Sequence, residues 1–128
     1  MAVEGNLWAL TFGELITDAV FSPDGKRVAC IGKDKGKYTV AVDGTAWNGD
    51  YDMVWPPVFG PDSRHVAAKA EKNGTYHILV DGKPSKESYR ALWNPTFGPD
   101  GDKLMIRGIE AASETGFYCR RVLSVTDI

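Results

Sequence analysis

The chain has 128 residues, 43% of them hydrophobic and 25% charged, and a formal net charge of −2. This supports one globular domain with a core of its own. Lys and Arg are scattered among Asp and Glu without a basic stripe, which disfavours a nucleic-acid partner. The sequence has neither an apolar run long enough to span a bilayer nor a basic-then-apolar leader. We therefore expect a cytoplasmic protein without direct membrane insertion.

The first elements are predicted to be short strands. Residues 3–11 read as a strand whose apolar bulk comes from Leu7, Trp8 and Leu10. Residues 19–21 read as a second strand, which ends at Pro23-Asp24-Gly25. Pro fixes its own φ there and Gly accepts the positive φ that reverses the chain.

Two hairpins are predicted further along the chain. Residues 27–31 and 37–42 form strands around the turn Lys35-Gly36, and the matching turn later in the chain is Asn73-Gly74. Asn-Gly between apolar-rich runs is a strong hairpin signal, because both central residues must accept a positive φ. A fourth strand is predicted around Trp47, and its counterpart around Tyr89.

These elements recur with a period of 38 residues. Phe21, Phe59 and Phe97 each precede a Pro-Asp turn, at 23–24, 61–62 and 99–100. The same offset relates Tyr38 to Tyr76, Val42-Asp43-Gly44 to Val80-Asp81-Gly82, Tyr51 to Tyr89 and Trp55 to Trp93. In the third copy, four extra residues fall within 110–115 and indicate a lengthened hairpin loop.

Four short antiparallel strands in about 40 residues, repeated without a helix, are typical of a β-propeller blade. The sequence thus predicts an all-β fold with three four-stranded propeller blades in a single domain, residues 1–128. The alternative is a β-sandwich with accidental self-similarity, which would not require several landmarks in phase.

The run Phe21-Ser22-Pro23-Asp24-Gly25-Lys26-Arg27-Val28 resembles the WD-like propeller repeats built on a Ser-Pro-Asp-Gly turn, as in the TolB and prolyl oligopeptidase families. The Val-Asp-Gly and Trp-x-Pro landmarks, residues 68–71 and the ending 118–128 are similar to the propeller subunit of a transmembrane cytochrome-linked electron-transfer complex of sulfate-reducing bacteria. The first resemblance implies a fold and is almost silent on function. The second implies a soluble subunit that assembles with a membrane-bound complex.

Three blades cannot close a ring, since propellers have about four to eight. The third repeat is predicted to end with its third strand, residues 117–125, and the N-terminal residues would supply an unattached fourth strand. We therefore predict a homodimer forming a six-bladed β-propeller, in which Leu7, Trp8 and Leu10 of each chain close the ring on the other. The alternative is a fragment of a longer single-chain propeller.

Ligand or partner binding is expected at the mouth of the central channel. Each strand that enters a Pro-Asp turn should be the innermost of its blade, which places Trp55, Trp93 and Thr17 there. Exposed aromatic rings could stack on a sugar, a peptide or a partner's loop. The competing interpretation is that the tryptophans pack between blades.

Other candidate chemistry is weak in this sequence. Neither a metal site nor a catalytic Ser-His-Asp set can be proposed, and His65 and His77 are read as surface residues. The recurring aspartates are expected to accept hydrogen bonds from backbone N–H groups of their own turns. Cys30 and Cys119 are read as reduced, buried thiols, which fits the cytoplasm. Arg107 and Arg120-Arg121 are the main concentration of positive charge.

The sequence thus predicts a non-enzymatic protein-interaction scaffold without cofactors. No residue set is a convincing ligand for haem or an iron-sulfur cluster, so any role in electron transfer would be assembly alone. The alternative is a carbohydrate- or peptide-binding, or hydrolytic, propeller that uses Trp55 and Trp93 with a channel-facing carboxylate such as Glu14 or Asp52.

Overall fold

The structure, a computed structural model, describes residues 2–3, 6–7, 15–111 and 118–127. Within these ranges the chain is all-β, as predicted, with one 3-10 turn at Val125–Asp127 as its single helical element. The strands form three sheets, and none of these sheets closes on itself. The closed ring is therefore still a prediction.

The N-terminal stretch differs from the predicted single strand. Its described residues form two short strands, β1 (Ala2–Val3) and β2 (Asn6–Leu7), which pair antiparallel with each other. Trp8 and Leu10 lie outside the described residues.

The first layer is a four-stranded antiparallel sheet with the strand order of the chain. It contains β3 (Leu15–Phe21), β4 (Val28–Asp34), β5 (Lys37–Val42) and β6 (Thr45–Ala46).

The other strands belong to one sheet that divides into a middle and a third layer. The middle layer contains β7 (Met53–Val54), β8 (Val58–Phe59), β9 (Val66–Lys72), β10 (Thr75–Val80) and β11 (Lys83–Pro84). The third layer contains β12 (Tyr89–Leu92), β13 (Thr96–Phe97), β14 (Lys103–Glu110) and β15 (Cys119–Ser124).

The predicted fourth strand around Tyr89 is wrong. The fourth strand of the middle layer is β11, which pairs with β10. Tyr89 instead begins β12, which pairs with β14 and meets β10 only where Tyr89 lies opposite Tyr76. In the same way, Tyr51 bridges to Tyr38 of β5 before the chain enters β7. Each of these tyrosines therefore links one layer to the start of the next.

The strand registers recur every 38 residues. Val20 pairs with Ala29 in the first layer, Val58 with Ala67 in the middle layer and Thr96 with Met105 in the third. The pairs Ile16 with Gly32, Val54 with Ala70 and Leu92 with Gly108 are related by the same offset.

The hairpin turns have the geometry that their sequences predict. The four pairs of central residues all have positive φ: 52° and 78° at Lys35-Gly36, 51° and 86° at Asp43-Gly44, 54° and 82° at Asn73-Gly74, and 50° and 88° at Asp81-Gly82. Positive φ at both positions defines the tight turn whose twist matches antiparallel strands.

Two hydrophobic cores lie on opposite faces of the middle layer. Along β10, Leu79 enters the core shared with the first layer, whereas Ile78 and Val80 enter the core shared with the third layer. Because successive strand residues point to opposite faces, this alternation shows that the middle layer lies between the other two.

Polar contacts connect the Pro-Asp turns of neighbouring layers. The Asp24 N–H donates to Ser63 Oγ (3.1 Å), and the Arg27 guanidinium donates to the carbonyls of Ser63 (3.0 Å) and Arg64 (2.7 Å). A Cβ built on Gly101 would lie 2.8 Å from the Asp62 carboxylate. The three turns therefore form a row along one side of the domain.

Candidate functional site

The third layer exposes a surface that the other two layers bury. We call it the third-layer outer face, and it consists of Trp93, Met105, Arg107, Tyr118, Arg120 and Val122. Trp93 is 46% exposed, Tyr118 51% and Val122 62%. These exposed apolar side chains make the face a candidate binding surface.

Strand alternation places these side chains outward. Leu104 and Ile106 of β14 point into the core, so Met105 and Arg107 point away from it. On β15, Val122 lies opposite Met105 and Arg120 lies opposite Arg107. The face is thus an apolar pair beside a pair of like-charged guanidinium groups.

A cleft of about 410 Å³ opens at the apolar end of this face. Its lining includes Phe97, Lys103, Met105 and Val122. The cleft is a concave site next to the flat strand surface, of the kind that can accept a side chain.

The equivalent positions in the first layer are covered. Ala29 is fully buried and Val42 is 9% exposed, and both belong to the core shared with the middle layer. Phe59 packs against this core, with the Arg27 guanidinium 5.7 Å from its ring centroid. The faces equivalent to the third-layer outer face are therefore covered by a neighbouring layer of the same chain.

The structure separates the two predicted binding tryptophans. Both hold the same backbone position, since Trp55 N–H donates to Lys69 C=O and Trp93 N–H to Arg107 C=O, each at 2.9 Å. The Trp55 ring is half-buried: Lys69 Nζ lies 4.2 Å from its centroid, and the Tyr76 ring centroid lies 5.8 Å away. Trp93 contacts Tyr118 edge to face at 5.5 Å and stays open. Trp55 is therefore the less exposed of the two tryptophans, and the binding role predicted for both stays a prediction.

Of the other residues predicted for binding or ring closure, the structure describes Thr17 and Leu7, which lie on other strands. Thr17 pairs with Ile31 in the first layer, away from the third-layer outer face. Leu7 pairs with Ala2 in the N-terminal hairpin, and the predicted closure of a ring through Leu7, Trp8 and Leu10 stays a prediction. Glu14 lies outside the described residues.

Asp52, the other carboxylate proposed for ligand chemistry, is engaged in a structural contact. It forms an ion pair with Lys37 (2.5 Å) and accepts a hydrogen bond from the Asn73 N–H (2.9 Å). The hydrogen bond from Lys37 lowers the pKa of Asp52 below its usual value. Asp52 therefore links the β5 and β10 hairpins as a carboxylate.

The recurring aspartates only partly follow the prediction. Asp24 and Asp62 accept hydrogen bonds from N–H groups of their own turns, at Lys26 (2.9 Å) and Arg64 (3.2 Å). Asp43 and Asp81 instead accept from Val28 (3.1 Å) and Val66 (3.0 Å), each on the neighbouring strand. Their positive φ directs the side chain across the hairpin, which sequence spacing did not reveal.

The histidines have separate local partners. His65 Nδ1 lies 2.6 Å from Asp81 Oδ2, and His77 Nε2 lies 3.3 Å from Thr75 Oγ1. Burial lowers the pKa of His77. In the described part of the chain, no group of three or more His, Cys, Asp or Glu could hold a metal ion.

The two cysteines have different environments. Cys30 is a free thiol with no exposed surface, and burial raises its pKa to about 11. Cys119 is also free and is only half-buried, which differs from the predicted burial.

The predicted basic cluster divides between the two sides of the third layer. Arg121 forms ion pairs with Glu87 and with Glu110, the latter at 2.9 Å. Arg107 and Arg120 lie opposite each other on the outer face. The charge available to a partner is therefore on Arg107 and Arg120.

Sequence reasoning missed Met105, Tyr118 and Val122 as surface residues. Tyr118 matches Tyr38 and Tyr76 in the repeat pattern, and both of these pack against a core. Val122 aligns with the buried Val42 by strand register, so periodicity alone suggests burial. Only the position of the third layer at one side of the stack exposes it.

No helix in the described ranges has the length and apolar character needed to cross a bilayer. No protein-family model matches the chain, and no curated protein matches it either. The functional interpretation therefore depends on the geometry of the third-layer outer face.

Proposed function

We propose that this protein is a non-catalytic interaction scaffold and that the third-layer outer face is its protein-binding surface. The single observation that carries the proposal is the exposure of Trp93, Tyr118 and Val122 on a face whose register equivalents pack against protein in the other layers. Burying such apolar area in an interface stabilises a complex by about 25 cal/mol per Å² before the costs of association.

The arrangement of side chains also favours binding over chemistry. Asp52 is held by Lys37 and Asn73, and Asp24 accepts from Ser22 Oγ at 2.5 Å. The exposed face carries aromatic, aliphatic and guanidinium groups, which are the groups enriched at the centres of protein interfaces. A nucleophile with an adjacent base would instead be needed for hydrolysis.

The 38-residue recurrence of strand register supports the proposal that the layers are blades of a propeller. In that arrangement the third-layer outer face is the position where a further blade or a partner would pack. The electron-transfer complex and the six-bladed homodimer are predictions from the sequence, and each is one possible setting for this scaffold.

The test is site-specific photo-crosslinking in the native cells. A photoreactive amino acid replaces Val122, whose side chain is exposed, and in a matched control it replaces Lys26, an exposed turn residue of the first layer. We expect a covalent protein adduct from position 122 and none from position 26. Absence of an adduct at 122, or equal adducts at both positions, would refute the proposed binding surface.

A further inference from the structure

Among the described residues, the strand at the margin of the third layer is paired on one edge only. In the described part of the chain, β15 pairs only with β14, whereas β5 pairs with both β4 and β6, and β10 pairs with β9 and β11. An open edge presents unpaired backbone N–H and C=O groups, which are a template for another strand.

The other two layers show what binds at this edge. Trp47 N–H donates to Val40 C=O (2.8 Å) in the first layer, and Ser85 N–H donates to Ile78 C=O (2.7 Å) in the middle layer. Register places Arg120 at the position of Val40 and Ile78. Val40 pairs with Ile31, Ile78 with Lys69 and Arg120 with Arg107, and these three partners are 38 residues apart. The Arg120 carbonyl is therefore the expected acceptor for an added strand.

The sequence explains why this layer differs. In the first two layers an Asp-Gly pair with positive φ turns the chain into a fourth strand. The third layer has Leu123-Ser124 at this point, and these residues stay paired with Leu104 and Lys103 of β14. The Val125 N–H then donates to Asp102 C=O (3.0 Å), which leads the chain away from the open edge.

Side-chain chemistry defines the residues that would fit. Opposed residues on neighbouring strands share one face. A residue opposite Arg120 would lie beside the like-charged pair Arg107 and Arg120, where a carboxylate is favoured. A residue two positions along the added strand would lie opposite Val122, beside Met105 and the cleft, where an apolar side chain is favoured.

We infer that the third-layer outer face recognises a protein partner by strand addition to β15, through an extended segment with an acidic and an apolar residue two positions apart. This inference rests on the proposed function, because it specifies how the same face binds. Main-chain hydrogen bonds at the edge supply affinity, and alternate side chains supply specificity.

The test uses peptides selected from a random phage-displayed library against the whole 128-residue chain. We expect the selected peptides to carry Asp or Glu two positions from an apolar residue. Affinity, measured by fluorescence anisotropy, should fall about tenfold or more in Arg120→Glu, because attraction becomes repulsion. Lys26→Glu is the charge-matched control on the first layer and should leave the affinity unchanged.

Backbone methylation separates strand addition from other docking modes. Two versions of a selected peptide are N-methylated at alternate residues, in opposite registers. Since the N–H groups of a strand alternate in direction, one register should abolish binding to β15 and the other should tolerate it. Circular dichroism of each variant protein verifies the fold before binding is measured.

The outcomes distinguish the two proposals. Peptides without an acidic residue, an unaffected Arg120→Glu, or equal effects of the two methylated registers would overturn strand addition. If the Val122 adduct still forms, the interaction surface itself stands. An adduct with twice the mass of the chain would identify a second copy as the occupant, and would overturn the inference of a separate partner. Absence of any adduct would refute both.

Discussion

Gly108 gives the sharpest test of the packing of the third layer. A Cβ built on Gly108 would lie 2.6 Å from the Ala91 carbonyl oxygen and 3.1 Å from a Leu92 methyl carbon, whereas ordinary contact begins at 3.4 Å. The shortfall against the carbonyl is about 0.8 Å, so Gly108→Ala must separate β12 from β14. This separation also strains the Trp93 N–H to Arg107 C=O hydrogen bond.

The expected change in the free energy of unfolding combines two destabilising effects and one stabilising effect. Overpacking costs about 1–3 kcal/mol and a weakened hydrogen bond about 1 kcal/mol, whereas replacing Gly by Ala in a strand recovers about 0.5–1 kcal/mol. Gly108→Ala should therefore lower the free energy of unfolding by about 2 kcal/mol, measured by urea titration. The corresponding decrease in Tm is roughly 8 °C for a domain of this size.

Gly98→Ala is the matched control. It lies in the same layer, and its built Cβ is 3.7 Å from Lys103, an ordinary contact. We expect its free energy of unfolding to change by less than about 0.5 kcal/mol. If Gly108→Ala has the same free energy of unfolding as Gly98→Ala, the close approach of β12 to β14 at Gly108 would be contradicted.

Two further predictions concern groups that the structure assigns to stability. Asp81→Ala should lower the free energy of unfolding by about 2 kcal/mol in urea titration, because it removes the acceptor of the Val66 N–H and leaves alanine at positive φ. Asp81→Asn keeps an acceptor and should retain most of the stability. Equal losses in the two variants would contradict the role of the acceptor. The pKa of the Cys30 thiol in the folded state, about 11, exceeds its usual value of 9.0, so the folded protein holds this proton more tightly. The free energy of unfolding should therefore decrease as the pH rises from 9 towards 11. The same decrease in a Cys30→Ala variant would contradict this prediction.

The hairpin turns and most of the strands could be predicted from the sequence because local signals specify them. Asn73-Gly74 has the positive φ pair that its turn requires, and the Phe21, Phe59 and Phe97 landmarks align with recurring strand registers. Turn chemistry depends on two or three adjacent residues, so it can be read without tertiary context. The misassignment of Tyr89 arose because a short strand between two layers can pair with either of them.

The candidate site depends on facts that are not local. Trp55 and Trp93 are equivalent in sequence and in backbone hydrogen bonding, yet Trp55 is half-buried and Trp93 is 46% exposed. Val122 likewise has the strand position of the buried Val42. The sequence by itself determined the all-β class, the turns and the 38-residue period, because these arise from short-range backbone preferences. Only the tertiary structure decided which equivalent face stays uncovered, because burial depends on the neighbouring layer and not on the residue itself.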